Sequence, residues 1–124
     1  MTPRGYTFIE LLVVIVVIGV LATMGYLRLA GSKDKAAVAA MTSDLRAIAE
    51  EQEAFYFQNR LYSATLDSLN PRPSPGDSIV IHEATPSGWS GSVSNTRTPK
   101  KCYIVVGNAT PVGSAASDGV INCS

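Results

Sequence analysis

Gly5-Tyr6-Thr7-Phe8-Ile9-Glu10-Leu11-Leu12-Val13-Val14-Ile15 leads into an uncharged run from Leu11 to Leu27, with Ile, Leu or Val at most positions. Such a segment can enter or span a bilayer as a helix. From Tyr6 to Leu27 the helix would be about 33 Å long at roughly 1.5 Å per residue, against a hydrocarbon core of about 30 Å. Glu10 does not suit a plain span. A carboxylate deep in an apolar helix costs on the order of 2.5 to 3.5 kcal/mol and is usually kept for a functional reason.

A removable secretory signal is the first alternative, since Arg4 supplies a weak positive flank and Val20-Leu21-Ala22 has the small-residue form of a cleavage site. Three features count against it. An acid stands where a cation is expected, the apolar run is longer than the usual h-region, and cleavage at Ala22 would strand a helical pattern that continues well beyond it. A plain signal anchor accounts for the length but leaves Glu10 unexplained.

The stretch Gly5 to Ile15 resembles the class III signal of type IV pilins and type II secretion pseudopilins, whose common form is Gly-Phe-Thr-Leu-Ile-Glu before an aliphatic run. This resemblance implies a leader of residues 1–5, cut after Gly5 by a prepilin peptidase that then methylates the new amine of Tyr6. Two departures are Tyr6 in place of the usual Phe, and a leader with one cation and Pro3. It further implies that Glu10 pairs with the N-terminal amine of a neighbouring subunit during assembly. Methylation leaves a charge on that amine while removing donors. Removing one partner of a desolvated pair costs roughly 3 to 5 kcal/mol, so Glu10 acts more on register than on raw stability. Glu10→Ala is expected to be processed normally and to enter filaments poorly.

Beyond the run, residues 6–32 give way to a polar but still helical pattern from Lys33. Val38, Met41, Leu45, Ile48, Phe55 and Tyr62 follow a 3,4 spacing that Gln52 and Asn59 interrupt. One helix is expected to run from the leader to about Arg60, with Gly19, Gly25 and Gly31 as its weak points. Turn formers follow in a loop over residues 61–77, from Ser63 through Pro71, Pro73 and Pro75 to Gly76. Strand patterns then appear at Ser78–Ala84, Trp89–Ser94 and Lys101–Gly107, with Gly119–Cys123 a candidate fourth. The expected fold is α+β and type IV pilin-like. A long N-terminal helix has one apolar half and one amphipathic half, the latter packed on a small antiparallel sheet of three or four strands in a head spanning 33–124. So small a sheet needs the helix to bury enough apolar surface.

Cys102 and Cys123 occupy the place where pilins carry a C-terminal disulfide, so the resemblance implies a bridge; two reduced structural cysteines are the alternative. Because most major secretion pseudopilins lack such a bridge, the pair favours a pilin. Catalytic chemistry is not expected. His82 is the sole histidine, no Ser-His-Asp or Cys-His set can be assembled, and Glu50, Glu51 and Glu53 point apart on a helix instead of converging on a metal. Zero net charge argues against general nucleic-acid binding, and Arg97, Lys100 and Lys101 read as a small solvated patch. Asn108-Ala109-Thr110 and Asn122-Cys123-Ser124 match a glycosylation sequon weakly.

No enzyme activity, cofactor or metal is therefore expected. The expected product is a structural subunit of a type IV pilus or pilus-like filament. Its partners would be membrane lipid before assembly, the prepilin peptidase, an inner-membrane assembly platform and further copies of itself in a helical filament, with nucleic acid weak or absent. It would sit in the inner membrane and then on the cell surface. A type II secretion pseudopilin shares the whole N-terminal argument. A monomeric membrane-anchored binding module is the alternative of another class.

Overall fold

The computed structural model describes residues 5–124, so all of the expected leader except Gly5 lies outside the described residues. Helix α1 runs without a break from Phe8 to Asn59, 52 residues. It passes through Gly19, Gly25 and Gly31, where the sequence suggested weak points. The chain divides into two compact units between Ser32 and Lys33.

In the first unit the side chains of Phe8, Ile9, Leu11, Val13, Ile15, Val16, Ile18 and Leu21 are all at least half exposed. The most apolar 18-residue window of the helix has a mean hydropathy of 2.6, with none of it buried. Among the described residues α1 is the helix long and apolar enough to cross a membrane. An all-round apolar surface of this kind has no solution in water and calls for lipid or other helices around it.

In the second unit the same helix becomes one-sided. Ala37, Met41, Leu45, Ile48 and Gln52 are buried at spacings of three and four, the stripe that a 3.6-residue period produces. They face a four-stranded antiparallel sheet in simple meander order, β1 (Asp77–Thr85), β2 (Gly88–Asn95), β3 (Lys101–Gly107) and β4 (Asn122–Cys123). Register places Ile79 opposite Val93 and Val93 opposite Cys102, and these three join Met41, Leu45, Ile48, Leu69, Trp89 and Ile104 in one core. Gly91 leaves room for the Trp89 ring, which would lie a tight 3.1 Å from a Cβ there. Alternation turns the remaining β3 side chains the other way, where Val105 and the half-buried Tyr103 pack with Ala109 and Ala115 of the C-terminal loop. Gly113, at φ +55, lets that loop close down on Tyr103, whose ring carbons would lie 2.5 Å from a Cβ.

Three details depart from the sequence reading. Tyr62 does not continue the helical stripe: Arg60 takes a left-handed conformation at φ 60 and ends the helix. The chain turns back so that the Tyr62 ring stacks on Tyr56, centroids 4.8 Å apart. Gln52 does not interrupt the core; it is fully buried, donating to the Ser63 carbonyl at 2.9 Å and accepting from the Ser63 amide at 2.8 Å. The fourth strand is only Asn122–Cys123, because Val120 is exposed and the preceding segment forms turns.

Candidate assembly site at the helix N-terminus

The start of α1 is a capping box. The amide of Thr7 donates to Glu10 Oε2 at 2.8 Å, and the amide of Glu10 donates to Thr7 Oγ1 at 3.3 Å. The Thr7 carbonyl accepts the first helical bond, from the Leu11 amide at 3.2 Å. Two of the four amides that a helix start leaves unpaired are thereby satisfied, and the carboxylate lies at the positive end of the helix dipole. Around it Tyr6, Ile9, Glu10, Val13 and Val14 line an open notch of about 340 Å³. Tyr6 is almost fully exposed, and Gly5 precedes it with no atom within 4 Å of where a Cβ would lie.

Gly5, Tyr6 and Glu10 therefore lie together at one helix end, whereas the sequence reading gave no role to Thr7. The signal for it was present as Thr7-Phe8-Ile9-Glu10, a Thr followed three residues on by Glu before an apolar run. Chemically this end offers an acid with lone pairs to spare in apolar surroundings. Such a group takes up a cation by charge-assisted hydrogen bonding.

The second unit contains the other sites named from sequence. Cys102 and Cys123 are joined by a disulfide, pairing β3 with β4 across a sequence separation of 21. Thr42 of α1 sets its hydroxyl 3.7 Å from the Cys123 sulfur. Glu50, Glu51 and Glu53 are exposed and diverge, and Glu53 accepts the Tyr62 hydroxyl at 3.1 Å. Burial and that neighbouring acid hold the Tyr62 phenol above its ordinary range. Among the described residues no cluster of His, Cys, Asp or Glu is disposed to hold a metal ion. His82 bonds to Ser92 at 2.8 Å on the sheet face away from α1.

Carboxylates tie α1 to the loops of this unit. Asp44 accepts the Ser74 amide at 2.7 Å and its hydroxyl at 2.9 Å. Asp77, bonded to Asn95, is raised above the ordinary carboxylate value by burial and by sharing a hydrogen bond with Asp44. Asp34 receives the Thr98 hydroxyl and pairs with Lys100 at 3.3 Å. The Thr98 hydrogen bond, followed by Lys100, keeps Asp34 below the ordinary value.

Residues 2–26 match the prokaryotic N-terminal methylation motif. The chain is similar to the type II secretion system core protein G of several bacteria. It is 36% identical to that of Klebsiella michiganensis over 76 residues, 59% of this chain and 54% of the relative. It is 38% identical to that of Escherichia coli over 73 residues, 56% of this chain and 50% of the relative. Against that of Aeromonas hydrophila the figure is 35% over 72 residues, again 56% and 50%. The chain thus spans about half the length of the curated relatives it matches.

Proposed function

We propose that this chain, which carries the N-terminal methylation motif and is homologous to type II secretion core protein G, is a pseudopilin: a structural subunit of a secretion pseudopilus. The sequence reading preferred a cell-surface type IV pilus and ranked the pseudopilin second. The relatives favour the second, while the Cys102–Cys123 bridge is the feature that the sequence reading weighed toward a pilin.

The observation that carries the proposal is the capping box at the head of an apolar helix whose described side chains are exposed. On this reading a prepilin peptidase removes the leader after Gly5 and methylates Tyr6. The first unit holds the subunit in the inner membrane, and neighbouring copies later replace the lipid around it. Apolar burial drives that exchange between helices only weakly while both states are apolar; packing and paired charge decide it. Glu10 supplies the charge. Its Oε2 is engaged with Thr7, which fixes the side chain on the helix end, while Oε1 and the remaining lone pairs stay available to the methylated amine of the next copy. A wrongly staggered copy would leave two charges apart in an apolar surrounding, so the pair enforces stagger. No reaction is catalysed.

Mass spectrometry of the mature chain tests the processing: an N-methylated end at Tyr6 is the expected result, and an end near Thr23 removes the assembly helix and the proposal with it. Deletion should leave secreted enzymes trapped behind the outer membrane. Glu10→Ala should give processed subunit with few filaments, and a normal filament yield would take Glu10 out of the mechanism.

A further inference from the structure

The neutral chain distributes its cations unevenly. All four lysines fall in two short segments, Lys33 with Lys35 and Lys100 with Lys101, and Arg97 lies beside the second. The fold brings these segments together, because Asp34 receives the Thr98 hydroxyl and the Lys100 ammonium. All five basic side chains are exposed. Asp34 is the only acid in either segment, and it is already neutralised by Lys100. The head's other acids, among them Glu50, Glu51, Glu53 and Glu83, lie elsewhere in the sequence.

Chain connectivity gives this cluster a position. The uncharged run ends at Leu27 and is followed by Arg28, and Lys33 lies six residues beyond Leu27 on the same helix, about 9 Å past the end of the run at the rise of a helix. In a membrane-held subunit that is headgroup depth. Lysine suits it, since its aliphatic stem lies along apolar surface while the ammonium reaches the polar layer.

We propose that Lys33, Lys35, Arg97, Lys100 and Lys101 form a docking surface for the anionic lipid headgroups of the leaflet from which the head emerges. This surface would seat the head on the membrane before assembly. The inference rests on the reading of the first half of α1 as a membrane span. Ser74, Asp44 and Gln52 hold the remainder of the head together without these residues, so the surface can be altered without unfolding it. Lys100 and Asp34 are left intact in the test because they tie loop to helix.

The full chain is reconstituted into vesicles of phosphatidylcholine alone and of phosphatidylcholine mixed with phosphatidylglycerol, and insertion is measured by flotation. Amine-reactive labelling of Lys35 and Lys101 is then followed by mass spectrometry. Each basic residue near an anionic surface gains about 1 kcal/mol, equivalent to roughly fivefold. Labelling of both lysines should accordingly slow several-fold in the anionic vesicles, recover in high salt, and stay fast with inorganic phosphate or duplex DNA added to the neutral vesicles. Arg97→Gln should shift the Lys101 rate partway towards its value in neutral vesicles, with hydrogen exchange of the β1–β2 hairpin unchanged. Equal labelling in both vesicles despite full flotation overturns the docking surface alone. Slowing by phosphate or DNA to the same extent replaces the lipid with a general polyanion site. Failure to float in either vesicle overturns the membrane reading on which the inference stands.

Discussion

Gln52 gives the sharpest test of how the head is held together, because two descriptions of it predict opposite signs. As a polar interruption in the stripe of Met41, Leu45 and Ile48, it should be improved by Leu. As the clamp seen in the structure, it should be damaged, since Gln52→Leu removes both bonds to the Ser63 backbone while Ser63 stays only 4% exposed. Two orphaned buried groups cost about 1 to 3 kcal/mol each, and the greater apolarity of Leu returns about 2 kcal/mol. A net loss of about 2 kcal/mol is therefore expected, lowering the midpoint of thermal unfolding by roughly 8 to 16 °C for a domain of this size. The assay is denaturant or thermal unfolding of the full chain in detergent micelles. Fluorescence of Trp89 reports it, since this is the single tryptophan and is 1% exposed. A Gln52→Leu protein as stable as the parent would refute the clamp and restore the simple stripe.

Reduction of Cys102–Cys123 should destabilise the head by roughly 3 kcal/mol, the chain-entropy value for a loop of this size. Hydrogen exchange should accelerate first at the Lys101 and Ser124 amides, which bond to each other's carbonyls at 2.9 Å, while β1 and β2 stay protected. Uniform acceleration would mean that the bridge holds the whole sheet and not only its last strand. Asp77 gives a pH prediction. Its folded value lies above the ordinary 3.8, so the folded state binds the proton more tightly and stability falls as pH rises from 3.8 through the raised value. Asp77→Asn should remove that fall and match or exceed the parent at neutral pH in denaturant titrations, with the advantage gone in acid. A neutral-pH loss would show that the ionised carboxylate is required.

The large features were legible because they rest on periodicity. The all-apolar run through Leu21 and Ile18 and the 3,4 stripe of Met41, Leu45 and Ile48 define one helix with two environments. The alternation of Trp89, Gly91 and Val93 with serines marks a strand but does not reveal that its other face is covered as well, with Ser90 1% and Ser92 9% exposed. What escaped depends on partners distant in sequence. Gln52 looks like a break until Ser63 is known to lie against it, and nothing in residues 60–62 announces the left-handed turn at Arg60 that brings Tyr62 onto Tyr56. Lys100 and Lys101 read as a small solvated patch because their link to Lys33 and Lys35 runs through Asp34. At the assembly site Glu10 was legible as an anomaly of charge. Thr7, which holds it in place, belongs to a Thr-x-x-Glu pattern that is local in sequence, but that pattern alone does not distinguish a helix start at Thr7 from a helix already under way there.

The two margins of the sheet bear on the proposed filament. On one side β4 is two residues long and covalently fastened to β3, leaving little backbone for an incoming strand. On the other, β1 breaks its register between Ile81 and Glu83, where the extra residue, His82, interrupts the ladder. A free, regular edge is a template for strand addition, and bulges and very short strands blunt it. In the proposed filament, heads would meet at concentrations far above those of a dilute protein. Both margins of this sheet are therefore poor seeds for amyloid-like stacking, so strand addition would not compete with the helix contacts proposed to join the copies.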